Sequence, residues 1–306
     1  MTWQEKDLLN NFRRRALEDD SVIVGPGDDC AVVRYGSETV VLTTDMIVDG
    51  VDFRLDEHDP FDIGWKAVTI SASDVAAMCF VPAHFVVSSA LPELSDEQIQ
   101  RLYDGLYAAC AECGASLVGG DISSGARLAL VSSATGISAG THPVLRSGAR
   151  PGDVLMVTGP LGGSILGRHL RCSARLDAVR ALAEHGPPAA CMDLSDGLSG
   201  DLASLADASK VGFEVFGHMV PVHDDAVILS KNSGEPELFH ALNDGEDFEL
   251  LVAVARTKAE GLVRACNESG VHLYKVGRVL PAQEGRWLVM GSDRHEWKVR
   301  SYEHGS

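Results

Sequence analysis

GPGDDCAVVRYGSETVVLTTD, residues 25–45, decides how the rest of the chain is read. A glycine and proline turn ending in two aspartates leads into AVVRY (31–35), and after a short polar break TVVLTTD (39–45) repeats the pattern. Both runs are rich in β-branched residues and bounded by turn formers, as strands of a half-buried sheet are. Upstream, residues 21–24 form a further strand-like run and the first 19 residues read as an amphipathic helix. Downstream, PFDIGWKAVTISASDVAAM (60–78) has its apolar residues at helical spacing, and HFVVSSALP (84–92) returns to a strand pattern. A second helix over 95–113 opens with Ser95, with Glu97 and Gln98 in its first turn as a capping signature. SLVGG then reads as a strand delivering Asp121 at its end, and ALVSSATGIS (129–138) as another.

SGARPGD (147–153) has the composition of a connection between domains. Beyond it come the strand VLMVTG, the turn PLGG and a helix from about Ser164. Backbone N–H groups at such a start can receive an anion. No G-x-x-x-x-G-K-[ST] is present, however, and a tight packing turn explains the glycines equally well. A helix over MDLSDGLSGDLASLADAS (192–209), the strand FEVFGHM, the run FHAL-NDGED-FELLVAV and a strand-rich tail complete the chain. Strands and helices alternate in both halves, and 306 residues exceed the usual single domain. The expectation is an α/β (α+β) protein of two domains, 1–147 and 148–306.

Composition narrows the function classes. Hydrophobic residues make up 45% and charged residues 23%, so the chain is of the folded, globular kind. A net charge of −18, from 44 acids against 26 bases, argues against binding the nucleic-acid backbone. It also means that any phosphorylated ligand needs a screening cation, for which a divalent metal held by the same carboxylates is the simplest candidate. Seven scattered cysteines, with no secretory leader ahead of them, predict a reducing, cytoplasmic setting without disulfides. No run approaches the roughly 18 apolar residues of a membrane-spanning helix.

Acidic residues recur at the ends of apolar runs, in GDD (27–29), TTD (43–45), SD (73–74), GGD (119–121), DLSD (193–196) and GED (245–247). Any one of these can be a helix cap or a turn. Six together suit magnesium, which takes hard oxygen ligands and bridges carboxylates to phosphates. Asp193 and Asp196, three apart in a helical frame, would project from one face, and the hydroxyls of Thr43 and Thr44 stand beside Asp45. Gly119 and Gly120 allow close backbone approach just before Asp121. No His/Cys cluster has zinc spacing and no G-x-S-x-G elbow occurs, so His142, His169 and His223 are read as surface or structural.

GPGDDCAVV, TTDMIVDGVDF, WKAVTISASDVAAM, LVGGD, RSGARPGD, VTGPLGGS, MDLSDGLSGDL, DGEDFELL and the terminal YEHG stand in the order found in the thiamine-monophosphate kinases. The chain resembles that family nearly end to end. The wider superfamily includes aminoimidazole ribonucleotide synthetase, selenophosphate synthetase and a hydrogenase maturation factor. The resemblance implies a two-domain aminoimidazole ribonucleotide synthetase-like fold, with an N-terminal sheet domain that forms a homodimer and a C-terminal α/β domain. It implies magnesium-dependent transfer of the ATP γ-phosphoryl group onto thiamine monophosphate, with several ions bound and no protein nucleophile. Carried over by motif, Asp29, Thr43, Thr44, Asp45, Asp74, Asp121, Asp193 and Asp196 fall at metal positions. Gly120, Asp121, Arg146 and Ser195 fall at nucleotide positions, and Asp52, Glu246 and Tyr302 at substrate positions. The chain departs from the family where Asp52 replaces a histidine, where Ile122-Ser123 replaces Thr-Thr, and in RCSARLD (171–177), which lacks the usual prolines. These changes touch the acceptor side. A same-fold paralogue that activates another substrate, and a nucleotide-binding regulator without turnover, are the competing readings.

Overall fold

The computed structural model describes Leu8, Asn11, Phe12 and residues 19–300. The expected N-terminal helix and Tyr302 therefore fall largely or wholly outside the described residues.

Six strands form the first sheet: β1 (Val22–Val24), β2 (Ala31–Tyr35), β3 (Glu38–Val48), β4 (Phe80–Leu91), β5 (Ser116–Ser124) and β6 (Ala129–Ser138). They lie in the order β1-β2-β3-β6-β4-β5. All neighbours are antiparallel except β4 and β5. One face is covered by α1 (Pro60–Ala77) and α2 (Asp96–Glu112). Asp59 caps α1 by accepting the Phe61 N–H, with proline at the first helical position. Ser95 and Gln98 close the predicted capping box on α2. The two helices touch at glycines: a β-carbon on Gly64 would stand 2.1 Å from the Leu102 carbonyl oxygen, and one on Gly105 2.0 Å from that of Phe61. Among the described residues no helix lies over the opposite face of the sheet, and Met46, Val86 and Ile137 are exposed there.

The second sheet comprises β7 (Val154–Val157), β8 (Ala190–Asp193), β9 (Gly212–Phe216), β10 (Leu250–Val254), β11 (Tyr274–Leu280), β12 (Arg286–Met290) and β13 (Asp293–Glu296). Their order is β13-β12-β9-β11-β7-β10-β8. Five helices accompany it: α3 (Leu176–His185), α4 (Leu198–Ser209), α5 (Asp224–Ser233), α6 (Glu237–Asn243) and α7 (Arg256–Glu268). Apolar residues of both halves join in one core that includes Val68 and Val75 from α1, Met78 just after it, and Cys191 and Leu250 from the second sheet. Helix α1 is thus buried on almost every side, as its near-continuous apolar sequence requires.

Three local readings need correction. The helix expected from about Ser164 is only two 3-10 turns, Ser164–Leu166 and Arg168–Leu170. Asp121 lies within β5 rather than at its end. The stretch 192–209 is not one helix: β8 runs to Asp193, a turn follows, and α4 starts at Leu198. Leu194, Leu198, Leu202 and Leu205 keep an apolar helical rhythm across that break, but the Leu194 N–H bonds to the Glu249 carbonyl and extends the sheet instead. All seven cysteines are free and buried, and among the described residues no helix is long and apolar enough to cross a membrane.

Candidate metal and nucleotide site

Three elements deliver carboxylates to one point. Asp29 comes from the turn before β2, Asp74 from α1 and Asp193 from the end of β8, and one oxygen of each lies within 4.8 Å of the others. Helix α1 organises them through a short polar stripe. Ser73 Oγ donates to Asp193 Oδ2 at 2.7 Å, and Ser71 Oγ to Asp45 Oδ2 at 2.8 Å. From β3, Thr43 Oγ1 donates to Asp74 Oδ2 at 2.5 Å, which brings Thr43 and Asp45 to the cluster's margin.

Like charges this close resist ionisation. Burial, with Asp29 next in weight, pushes the Asp193 carboxyl up to about 7. Burial and then the charges of Asp45, Asp193 and Asp29 hold Asp74 well above the carboxylate range, and burial raises Asp45 against the Ser71 hydrogen bond. Asp28 is raised to about 6, by burial and then by Asp29. Asp29 Oδ2 is buried without a hydrogen-bond partner. An orphaned buried oxygen among converging carboxylates fits a hard divalent cation, which would satisfy that oxygen and relieve the repulsion.

The sequence-assigned residues do not all meet here. Alternation along β3 turns Thr44 away from Thr43 and Asp45. Its hydroxyl donates to the Ser132 carbonyl at 3.1 Å and lies 2.9 Å from Ser133 Oγ, on the uncovered face. Asp121 shares that face, through the row Met46, Val131, Ser88, Asp121. It stands three strands from β3, roughly 14 Å across the sheet. Gly120 and Asp121 instead line a groove of about 520 Å³ with Tyr103 and Tyr107, which sequence reasoning did not single out. A β-carbon on Gly120 would stand 1.9 Å from the Val87 carbonyl oxygen, so only glycine fits there.

Arg146 pairs with the cluster itself, its Nη2 2.5 Å and Nε 3.1 Å from Asp29 Oδ1. Asp28 accepts the Arg146 backbone N–H. Asp196 and Ser195 occupy the turn between β8 and α4, so the shared helical face expected for Asp193 and Asp196 does not exist. Buried Asp201 holds that turn by accepting the Asp196 N–H at 3.1 Å. The Ser195 carbonyl accepts the Glu246 N–H at 2.7 Å, tying the turn to the GED loop. Asp52 Oδ2 accepts the Val48 N–H at 2.7 Å, a local turn role.

The glycine loop does receive anions, and they are the protein's own. Gly162 N–H donates to Asp247 and Gly163 N–H to Asp244. His169, expected to be a surface or structural residue, is buried, with Nδ1 2.9 Å from the Ser164 carbonyl. A Ser-His-Asp chain also exists: Ser233 Oγ is 2.7 Å from His240 Nε2, and His240 Nδ1 is 3.0 Å from Asp244. Among the described residues it has no oxyanion hole, because the N–H groups of Gly234 and Glu235 are engaged and Ser233 ends α5, where carbonyls gather.

Comparisons with known proteins agree on one family. The N-terminal domain of AIR synthase related proteins matches residues 27–138, and their C-terminal domain residues 150–289. The thiamine-monophosphate kinase of Rhodopirellula baltica is 38% identical over 302 residues, covering 95% of this chain and 94% of that protein. Its Escherichia coli counterpart is 31% identical over 92% of each. A solved structure described as AaThiL complexed with AMPPCP and TMP superposes with a TM-score of 0.84 at 29% identity, over 98% of this chain and 97% of that one. The hydrogenase maturation complex HypE-HypF, at 18% identity and a TM-score of 0.77, shares the fold. By domain matches at both ends and by full-length identity, this chain belongs to the thiamine-monophosphate kinase family of AIR synthase related proteins.

Proposed function

We propose that the chain transfers the γ-phosphoryl group of ATP to the phosphate of thiamine monophosphate, giving thiamine diphosphate and ADP. The observation that carries this reading is the meeting of Asp29, Asp74 and Asp193 in a kinase-family chain, with Asp29 Oδ2 left unpartnered. An acceptor phosphate oxygen bonds to the γ-phosphorus as the bond from that phosphorus to the bridging oxygen of ADP breaks. The acceptor is already an anion, so neither a protein nucleophile nor a strong base is needed, and positioning and charge neutralisation suffice. Magnesium supplies that neutralisation when bound.

Asp29, Thr43, Asp45, Asp74 and Asp193 would hold the ions at the cluster, with Asp196 on the adjoining turn. Thr44 and Asp121 would serve on the sheet's other face. Gly120 and Asp121 would take the nucleotide in the groove that Tyr103 and Tyr107 also line, and Ser195 and Arg146 would meet nucleotide phosphates at the cluster. Asp52, Glu246 and Tyr302 would border the acceptor. Two domains, 1–147 and 148–306, would bracket the site. Two copies would pair through the uncovered sheet face, whose exposed Met46, Val86 and Ile137 need a partner surface.

The test is ADP release with ATP and magnesium, comparing thiamine monophosphate with thiamine and identifying the product by mass. Thiamine diphosphate formed only from the monophosphate supports the reading. Nucleotide binding without product from either acceptor would overturn it.

A further inference from the structure

Lys66 is fully buried, at 0% exposure, and ranks among the largest side chains in the interior. An ammonium group is costly to bury unless it is paired, and apolar residues of similar volume usually serve a core at least as well. Its two partners are informative. Nζ donates to the Asp52 carbonyl oxygen at 2.9 Å and to Glu246 Oε1 at 2.5 Å. Asp52 and Glu246 are the two described residues at acceptor positions, and they come from opposite halves of the chain.

The Glu246 backbone is already fixed without the lysine. Its N–H bonds to Ser195, the Gly245 carbonyl accepts from Ser164 Oγ at 2.5 Å, and the Phe248 N–H bonds to Leu194. What those bonds leave undetermined is the direction of the carboxylate. That side chain is 32% exposed, and only Oε1 has a hydrogen-bond partner among the described residues. Lys66 therefore fixes one oxygen of a part-exposed carboxylate and leaves Oε2 for another partner. The same rigid helix α1 carries Asp74 eight residues later, roughly 12 Å along the axis. One element thus spaces the carboxylate cluster from the Lys66–Glu246 pair.

We propose that Lys66 is a positioning residue for the acceptor: it aims Glu246 at the cationic or amino-bearing end of a small phosphomonoester whose phosphate lies at the cluster. The pair forms the far wall of that site, so it sets which acceptors reach the metal end correctly. This inference rests on the kinase reading above and adds a residue and a length criterion to it.

The test is steady-state kinetics on the full chain, with thiamine monophosphate and ATP varied separately, for Lys66→Met, Lys66→Arg and Glu246→Gln. AMPPCP binding with magnesium is measured by calorimetry alongside. Lys66→Met and Glu246→Gln should each raise the acceptor KM about tenfold, equivalent to about 1.4 kcal/mol, while AMPPCP affinity and the ATP KM stay within about twofold. The double variant should be no worse than the poorer single one, because both remove the same alignment. Arginine should recover part of the loss. Should Lys66→Met fail to fold, Glu246→Gln and Lys66→Arg decide. An unchanged acceptor KM in Glu246→Gln, or equal losses for acceptor and ATP, would overturn the positioning role. A parent chain that binds AMPPCP yet neither binds nor converts thiamine monophosphate would instead sink the kinase reading, and this inference with it.

Discussion

Arg146 and Asp29, 117 residues apart in sequence, form a paired contact in which Nη2 stands 2.5 Å from Oδ1 while the other carboxylate oxygen stays unpartnered. One side of Asp29 is thus neutralised by a guanidinium and the other is open to a cation. Arg146→Ala should leave the buried Asp29 charge uncompensated and cost about 3 kcal/mol in the absence of magnesium. Added magnesium should recover more stability in the variant than in the parent. Thermal unfolding with and without the ion checks this, and equal recovery in both proteins would count against a shared role at Asp29.

Asp74→Asn and Asp193→Asn should separate folding from catalysis. Each keeps the side-chain shape and removes one of three carboxylates crowded within 4.8 Å. The metal-free variants should therefore be at least as stable as the parent, while turnover falls roughly 100-fold or more for want of charge stabilisation. Asp45→Asn should lose most activity for the same reason. Unfolding midpoints and turnover on the same preparations decide it, and parent-like turnover would remove the altered residue from the metal site.

Magnesium should stabilise the protein more at pH 8 than at pH 6. The Asp193 carboxyl, raised to about 7, keeps its proton in the folded metal-free state at pH values where an unfolded carboxyl, near 3.8, has lost it. Its contribution to stability is full below that lower value and is lost as pH rises through about 7. Metal binding needs the ionised form and so releases protons as pH falls. Asp28, raised to about 6, acts in the same direction. Calorimetry in two buffers of different ionisation enthalpy should show proton release at pH 6.5 that fades by pH 8.

Gly64→Ala should be among the most damaging single-methyl changes in the chain. The added carbon would stand 2.1 Å from the Leu102 carbonyl oxygen and 3.0 Å from the Leu106 nitrogen, both backbone atoms of α2. Forcing α1 and α2 apart should cost about 1–3 kcal/mol or more. It should also disturb Lys66 and Ser73 on the same helix. Chemical denaturation measures the cost, and a change below about 0.5 kcal/mol would show that the interface yields easily.

Much of the fold was legible because its cues are local. Strands β2, β3 and β6 show β-branched runs, and the Ser95–Gln98 box marks the start of α2. Asp29, Asp74 and Asp193 stood out because acids ending apolar runs are unusual. Which face each residue takes was harder to read. Thr43 and Thr44 look equivalent as letters, yet alternation sends one to the cluster and the other to the far side of the sheet. The continuing leucine rhythm at 194–205 hid the break between β8 and α4. The Arg146–Asp29 and Lys66–Glu246 pairs depend on contacts 117 and 180 residues apart, which no local pattern encodes. Lys66 did leave one trace: it is the lone charge in α1 between Asp62 and Asp74, where a solvated face would need several.

Glu246 and Phe248 both adopt left-handed backbone angles, φ 59° and 52°, which non-glycine residues occupy at a cost of about 1–3 kcal/mol each. Glycine at 246 would relax the turn and remove the carboxylate that Lys66 holds. Selection for thermal robustness alone would therefore drive this position away from glutamate, and selection for turnover would hold it. In a stability-guided redesign or a consensus library, position 246 is where the two objectives oppose each other most directly. A laboratory lineage evolved only for heat resistance should lose its acceptor preference there first.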